Sequence, residues 1–385
     1  MPAMVRQKAL AIAIGVALEL TACGGAATTP SLPASQAAAA SAPAPASTTS
    51  SAKPAVSASA AAKTSAGASS AAPQPVASGT IKGAYGVLSV ASTPMWAALD
   101  EGLYKKEGLN VELSSLESAA LVQAVVSGSI QVATGSTVNA INAIASGADL
   151  RPVAAVVQTS SLVIVSKPEI GSLADLKGQT IAVTQPLSSS DFITRLVLKK
   201  NGLEYNKDVK VLTAGTTTAQ VASFQAGQVQ AITGPLDVVT GLPANSYKML
   251  LNIPDQHLPF SEQSLMVSGA FGRANPQAVA SFIKAFWEGS QLVLKDYDVF
   301  ARVAQKHLQG VSEAQLKTGH NNYQNVWSDP ANPRVTPASV QTILDLLAES
   351  NPKVAGLKYE DVIDNSYIQR LKAQGAFANG GCQGC

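Results

Sequence analysis

From Thr80 onward, short apolar runs alternate with stretches whose apolar residues recur every three or four positions, the pattern of strands followed by helices. Nine runs read as strands: Ile81–Val90, Leu109–Leu113, Ile130–Ala133, Val153–Val157, Leu162–Val165, Thr180–Val183, Val209–Leu212, Val229–Ile232 and Tyr247–Leu250. The helical stretches between them carry start and stop signals. Thr93-Pro94 sets a hydroxyl cap before a proline whose missing N–H is not needed in the first turn. Ser172 and Asp175 are spaced as a capping-box-like pair. Gly128, Gly147, Gly202 and Gly227 fall where helices end and a left-handed residue is wanted.

Past Leu251 the pattern becomes helical. Asn275-Pro276 opens a helix with Val279, Phe282, Ile283 and Phe286 on one stripe, and Thr336-Pro337 opens another with Val340, Ile343, Leu344 and Leu347. Ser127–Gly135 and Ala226–Gly234 echo each other: helix end, glycine, short strand, glycine. An α/β front with an internal echo and a helical tail predicts two similar α/β lobes, the chain returning to the first.

The first 79 residues follow other rules. Arg6 and Lys8 precede an apolar stretch, Ala9–Leu18, and then Leu20-Thr21-Ala22-Cys23. A basic start and about ten apolar residues make a secretory signal, too short for the ~20 residues of a membrane span. The Leu-Thr-Ala-Cys ending resembles the bacterial lipobox, which implies cleavage before Cys23 and acylation of its thiol. Acyl chains add ~0.8 kcal/mol per buried methylene, so more than one holds firmly. Residues 24–79 are almost entirely Ala, Ser, Pro, Thr and Gly. Such a segment buries too little apolar surface to offset its ordering entropy, and as a flexible coil it spans roughly 40 Å. The chain is expected to be extracytoplasmic and lipid-anchored, at the cell surface or in the periplasm of a bacterium.

Composition adds one exclusion. Residues 1–79 hold Arg6, Lys8, Lys53, Lys63 and Glu19; setting them apart from the chain's 27 basic and 25 acidic residues leaves 23 against 24. A near-neutral folded part has no basic face for nucleic acid.

The stretch Glu101–Leu113, Glu-Gly-Leu-Tyr-Lys-Lys-Glu-Gly-Leu-Asn-Val-Glu-Leu, resembles the early motif of the nitrate/sulfonate/taurine-type solute-binding proteins of ABC transporters, a group that also takes thiamine precursors and riboflavin. Gly-Ser-Ile-Gln-Val-Ala at 128–133, Ala145–Val153, Ile170–Val183 and Val362–Ser366 resemble its later motifs in the same order. The resemblance implies a type II-like, two-lobed periplasmic-binding-protein fold with two chain crossovers and a helical C-terminal return to lobe one. Lobe one is expected at 80–161 plus 252–385 and lobe two at 162–251. It further implies a monomeric receptor that closes on a small molecule and delivers it to a permease and ATPase complex, with no cofactor and no metal.

Open α/β sheets bind ligands beyond the carboxyl ends of their strands, which selects five loops. Ser92, Met95 and Trp96 follow the first strand; Trp96 either offers a face to a planar ligand or packs inside lobe one. Ser136 and Thr137 begin a helix and present hydroxyls and free N–H groups, or simply cap it. Gln158 stands at the first crossover. Ser188, Ser189 and Ser190 form a hydroxyl cluster at a helix start, suited to ligand oxygens. Gly234, Pro235 and Asp237 follow a strand on the same rim. None of the five stretches holds Arg, Lys or His, so a neutral, heterocyclic or weakly anionic ligand fits as well as a sulfonate.

Catalysis has little to build on. His257, His307 and His320 are scattered and read as surface residues, and residues 24–381 contain no cysteine. The cysteine-rich motif of the family's pyrimidine synthases and the internal cysteine of deaminases on a related fold are therefore missing. A lyase needing no cysteine stays open, against the evidence of export, as does a sensor module for a signalling partner. Cys382 and Cys385 end the chain after Gly380-Gly381 and read as a frayed tail with a local disulfide.

Overall fold

The computed structural model describes residues 80–86, 88–327 and 332–377; the signal segment with Cys23, the linker 24–79 and the Cys382–Cys385 tail lie outside the described residues. All described elements fall within one compact unit.

All nine expected strands are present, with ends shifted by up to five residues. The chain forms β1 (Thr80–Tyr85), β2 (Asn110–Ser115), β3 (Val132–Ser136) and β4 (Leu150–Val157), then β5 (Leu162–Ser166), β6 (Thr180–Val183), β7 (Lys210–Thr213), β8 (Ala231–Pro235) and β9 (Lys248–Asn252). A tenth strand, β10 (Gln263–Ser268), was not among those expected. Only Leu265, Met266 and Val267 are apolar in it, too short a run to stand out beside Gln263 and Ser264.

The helices between strands are α1 (Thr93–Asp100), α2 (Leu103–Lys106), α3 (Ser118–Val126), α4 (Thr137–Ala145), α5 (Ser189–Lys200), α6 (Thr217–Gln225) and α7 (Leu236–Val239). The tail holds α8 (Gly269–Ala274), α9 (Pro276–Lys295), α10 (Tyr297–His307), α11 (Glu313–Val326), α12 (Pro337–Ala348), α13 (Tyr359–Val362) and α14 (Ser366–Ala373). Gly128, Gly147, Gly202 and Gly227 all adopt positive φ at helix ends, as their spacing predicts. The Ser172–Asp175 pair closes only a short 3-10 turn at 174–176, with the Ser172 hydroxyl donating to Asp175 at 2.9 Å.

Two five-stranded sheets result, ordered β2-β1-β3-β10-β4 and β7-β6-β8-β5-β9. The orders mirror each other. In each sheet the strand that arrives from the other lobe, β10 or β5, enters fourth and runs antiparallel to its neighbours. The echoing segments noted in the sequence end in β3 and β8, which hold the same place in the two orders. Central strands β5, β8 and β10 are buried along their whole length, whereas edge strands β2 and β7 are mostly exposed. Helices covering both faces impose that contrast.

The chain passes between lobes twice, at 158–161 and 253–262, and the two passages touch. The Glu262 N–H donates to the Val157 carbonyl at 2.9 Å, and the Ser161 N–H to Glu262 Oε2 at 2.6 Å. The tail returns to the first sheet: Val279, Phe282, Ile283 and Phe286 of α9 are buried in one cluster with α1. Gly289 allows the close approach, since a Cβ there would lie 2.6 Å from the Pro94 carbonyl oxygen and 2.9 Å from the Ala98 nitrogen. α12, like α11, reaches beyond the first lobe. Its Val340, Ile343, Leu344 and Leu347 share a cluster with Val138 and Ile141 of α4 and with Ile193 and Val197 of α5, so this helix packs across both lobes. An ion pair between Lys199 and Glu349 adds to that contact.

Candidate ligand-binding cleft

Three strands that end at the gap between lobes run into helices whose first-turn N–H groups lack intrahelical partners, and hydroxyl residues occupy those starts. Ser136 caps α4, accepting from the Asn139 N–H at 3.4 Å. Ser188 caps α5, accepting from the Asp191 N–H at 3.3 Å, and Thr216 caps α6, accepting from the Ala219 N–H at 3.1 Å. Ser is suited to such ends because its short side chain reaches back to the second or third amide.

Around Ser188 the hydroxyls form a small network. The Thr184 N–H donates to Ser190 Oγ at 3.0 Å, the Thr184 hydroxyl donates to Ser188 at 3.0 Å, and Ser188 and Ser190 lie 3.0 Å apart. Asp191, fully buried, holds the turn together. It accepts from the Leu187 N–H at 2.8 Å, Arg195 Nε at 3.0 Å and the Tyr205 hydroxyl. Arg195 stacks on the Tyr205 ring 3.7 Å from its centroid, and so is committed away from the gap. Tyr205's own hydroxyl is held well above its usual pKa, first by burial and then by Asp191.

Between the lobes lies a cavity of about 270 Å³. Ser136, Ser188, Ser189, Ser190 and Pro235 line it, five of the twelve expected ligand-binding residues. Across the gap, the Ser189 hydroxyl of α5 has two long contacts for its one hydrogen, Ser136 Oγ at 3.5 Å and the Glu262 carbonyl at 3.4 Å. Among the described residues lining the cavity none is Arg, Lys or His, and two are acids, Glu117 and Glu262. Burial raises the Glu262 carboxyl above the usual carboxylate range, opposed by the N–H and hydroxyl of Ser161. Tyr323, donating to Ser161 Oγ at 3.2 Å, is pushed well above the ordinary phenol value by burial and by the charges of Asp237 and Glu262.

The other seven residues stand elsewhere. Met95 and Trp96 are wholly buried in lobe one. Trp96 stacks on His307 at 4.7 Å and meets Tyr85 edge-on at 5.3 Å, so its ring faces are spent inside the core. Its place on the inner side of a first-turn helix, packed by α10, decides this. Ser92 is buried at the start of α1. Thr137 turns inward and donates to Ser264 Oγ at 3.1 Å, and Gln158 donates to the Arg334 carbonyl at 3.0 Å. Gly234 sits within β8 behind the wall. Asp237 is buried where α7 meets α11. Its Oδ2 accepts from the Val90 N–H at 3.5 Å, its Oδ1 has no partner, and burial pushes its pKa up to about 6 against the Val90 N–H.

Two histidines depart from the surface reading. His320 is buried and donates through Nε2–H to the Val293 carbonyl at 2.9 Å. His307 is largely covered between Trp96 and Asp100, with Nε2 3.0 Å from Asp100 Oδ2. Aromatic neighbours in α1, α10 and α11 bury both.

Sequence reasoning missed several lining residues. Thr216, Thr217 and Thr218 follow β7 at a helix start and obey the rule used for the other loops, so their signal was available. Ser161 and Glu262 belong to the crossovers, where polar residues interrupt apolar strands. Gln220 and Tyr323 carry no local signal, because only packing brings them to the cavity.

Two sheets of mirrored order, joined by adjoining crossovers around a hydroxyl-lined cavity, define the two-lobed periplasmic-binding-protein fold. Solved structures agree. The alkanesulfonate-binding protein SsuA from Xanthomonas axonopodis pv. citri is 20% identical, with 75% of this chain and 97% of that one covered and a TM-score of 0.60. The periplasmic nitrate-binding protein NrtA from Synechocystis PCC 6803 is 15% identical, with 79% and 91% covered and a TM-score of 0.62. A Candida albicans protein described as having the generic periplasmic binding protein fold is 18% identical, with 77% and 95% covered and a TM-score of 0.59. No curated protein matches the chain closely enough to count. The family model described as NMT1/THI5 like matches residues 89–298, more than half of the chain, and the chain belongs to that family. The resemblance first drawn from Glu101–Leu113 therefore holds at the level of the family.

Proposed function

We propose that this chain is the extracytoplasmic substrate-binding subunit of an ABC importer, capturing a small molecule between its lobes and passing it to a membrane permease with its ATPase. The observation that carries this reading is the interlobe cavity, walled by hydroxyls at helix starts from both lobes and crossed by Ser189 toward Ser136. A volume of about 270 Å³ sits below the ~300 Å³ at which drug-sized pockets begin, so the ligand is small. Relatives of the same fold bind alkanesulfonate and nitrate by their descriptions, which supports import of a nitrate-, sulfonate- or taurine-like molecule or a small heterocycle. The reading takes 80–161 with 252–385 as lobe one and 162–251 as lobe two, closing about the paired crossovers.

The same proposal makes the protein a monomeric lipoprotein, tethered through Cys23 and the 24–79 segment and acting as a receptor rather than an enzyme. No helix among the described residues is long and apolar enough to cross a membrane. The test is a thermal-shift screen of the full chain against sulfonates, nitrate, pyrimidines, flavins and amines. A receptor is stabilised by mass action without consuming its ligand; turnover of a stabilising compound by the pure protein would sink the proposal.

A further inference from the structure

Beside the crossovers, α7 meets α11 across the seam between the lobes. Two glycines set how near they come. A Cβ on Gly319 would lie 3.2 Å from the Asp237 Cβ and 2.7 Å from Val90 Cγ2, and one on Gly241 would lie 2.6 Å from Gln315 Nε2. Gln315 of α11 spans the seam by donating to the Asp237 carbonyl at 3.2 Å. Tyr323, two turns further along α11, donates to Ser161 Oγ at the first crossover at 3.2 Å. This close approach shuts the Asp237 carboxyl in. Its Oδ2 accepts the Val90 N–H at a long 3.5 Å, and its Oδ1 has no hydrogen-bond partner.

Nothing around that carboxyl compensates a charge. α11 presents Gln315, Gly319 and Tyr323 to it, and the turn before α1 presents Val90. α7 itself offers only the N–H groups of Asp237 and Val238, and strands β5 and β8 beneath it carry no titratable residue. The remaining ionisable groups nearby are engaged elsewhere. Lys317 pairs with Glu313 at 3.4 Å, His320 donates to the Val293 carbonyl at 2.9 Å, and Glu262 accepts the Ser161 N–H at 2.6 Å. A covered carboxylate with no cation and one weak donor costs far more than the neutral acid, so the covered form holds a proton.

We infer that closing the lobes takes up a proton at Asp237: the carboxyl is hydrated and ionised when the lobes part, and neutral when α7 lies against α11. The inference rests on the receptor reading for its two moving lobes and adds a control that lies outside the cavity. A small rotation about the crossovers is enough, since admitting water to Oδ1 removes the penalty on the charge. The sign follows from the direction of the shift. A group near ~3.9 in water and at about 6 when covered favours the closed form fully below about pH 4, and that preference is lost as pH rises through about 6. Between pH 5 and pH 8 the closing equilibrium falls about tenfold. Capture of any ligand that closes the lobes is then tighter in acid surroundings.

Amide hydrogen exchange on the full chain without ligand tests it, at pH 5 and pH 8, with each rate divided by that of the unstructured peptide at the same pH. The amides of Val90, of α7 and of the α11 face around Gly319 should exchange through a partial opening, faster than those of β5 and β8, which need global unfolding. Their protection should fall about tenfold from pH 5 to pH 8 in the wild type and stay within about twofold in Asp237→Asn. Protection at these amides that is unchanged between the two pH values would overturn the inference, as would exchange no faster than in the sheet cores or an equal fall in Asp237→Asn. Should the variant not fold, the wild-type pair of measurements decides alone. Because no ligand enters, these failures leave the receptor reading standing, and a failed ligand screen speaks to that reading alone.

Discussion

At the scale of single residues, the serine cluster and Asp237 show how similar sequence signals reach different ends. Ser189 stands in the first turn of α5 with its hydroxyl toward the other lobe, while Ser188 is tied up as the helix cap. Ser189→Ala should therefore leave stability within about 0.5 kcal/mol while weakening binding of any ligand found by screening. Ser188→Ala should cost about 1 kcal/mol in urea unfolding through loss of the cap. Equal behaviour of the two variants would contradict this division of roles.

Asp237 is buried between α7 of lobe two and the Val90 turn and α11 of lobe one. The side chains around it are neutral, namely Tyr323 and Gln315, which donates to the Asp237 carbonyl at 3.2 Å. Its pKa of about 6 lies above the ~3.9 of an unfolded aspartate, so the native state holds the proton more tightly. The stabilisation this supplies is complete below about pH 4 and is lost as pH rises through about 6. Asp237→Asn removes that dependence. Relative to wild type, the variant should gain about 2–3 kcal/mol between pH 4 and pH 7, measured by urea unfolding at both. A constant difference across that range would show that the carboxyl is not buried as described.

Elements make the next scale. Helix α9 lies on α1 because Gly289 lets two backbones approach within the space of a methyl group. Gly289→Val should lower stability by about 2–3 kcal/mol through overpacking, since the atoms it meets are backbone and cannot rotate away. The urea midpoint is the measurement, and an unchanged midpoint would mean that the helices separate easily. At this scale the sequence was widely legible. The stripes of α9 and α12 and the glycines ending helices follow from local chemistry alone, and each is where its spacing puts it. β10 was not legible, because its burial comes from helices far away in sequence rather than from an apolar run of its own. Trp96 was undecided for a related reason: the covering residue, His307, lies 211 positions further along the chain.

For the whole molecule, the two mirrored sheets and their paired passages place the cavity where closing lobes would hold a ligand. α12 packs against both lobes on a surface that includes Val138 and Ile193. Movement between lobes would have to proceed without tearing that contact, which favours rotation over wide separation. Export and anchoring belong to this scale too. In a bacterial host, Cys23→Ser should move the protein from the membrane fraction to the soluble fraction while leaving ligand affinity unchanged. Retention of the variant in the membrane fraction would remove the lipid anchor from the proposal.

The sequence by itself determined the alternation of strands and helices, the caps and turns, the family, the expectation of an exported chain and the absence of positive charge from the candidate loops. Each of these depends on neighbours within a few positions or on composition. Only the tertiary structure decided which loops share a cavity, that Trp96 and Asp237 are covered, and that Gln220, Glu262 and Tyr323 stand in or beside the wall. Those facts depend on helices and crossovers distant along the chain, and burial by a distant partner leaves no periodic trace in the segment it covers.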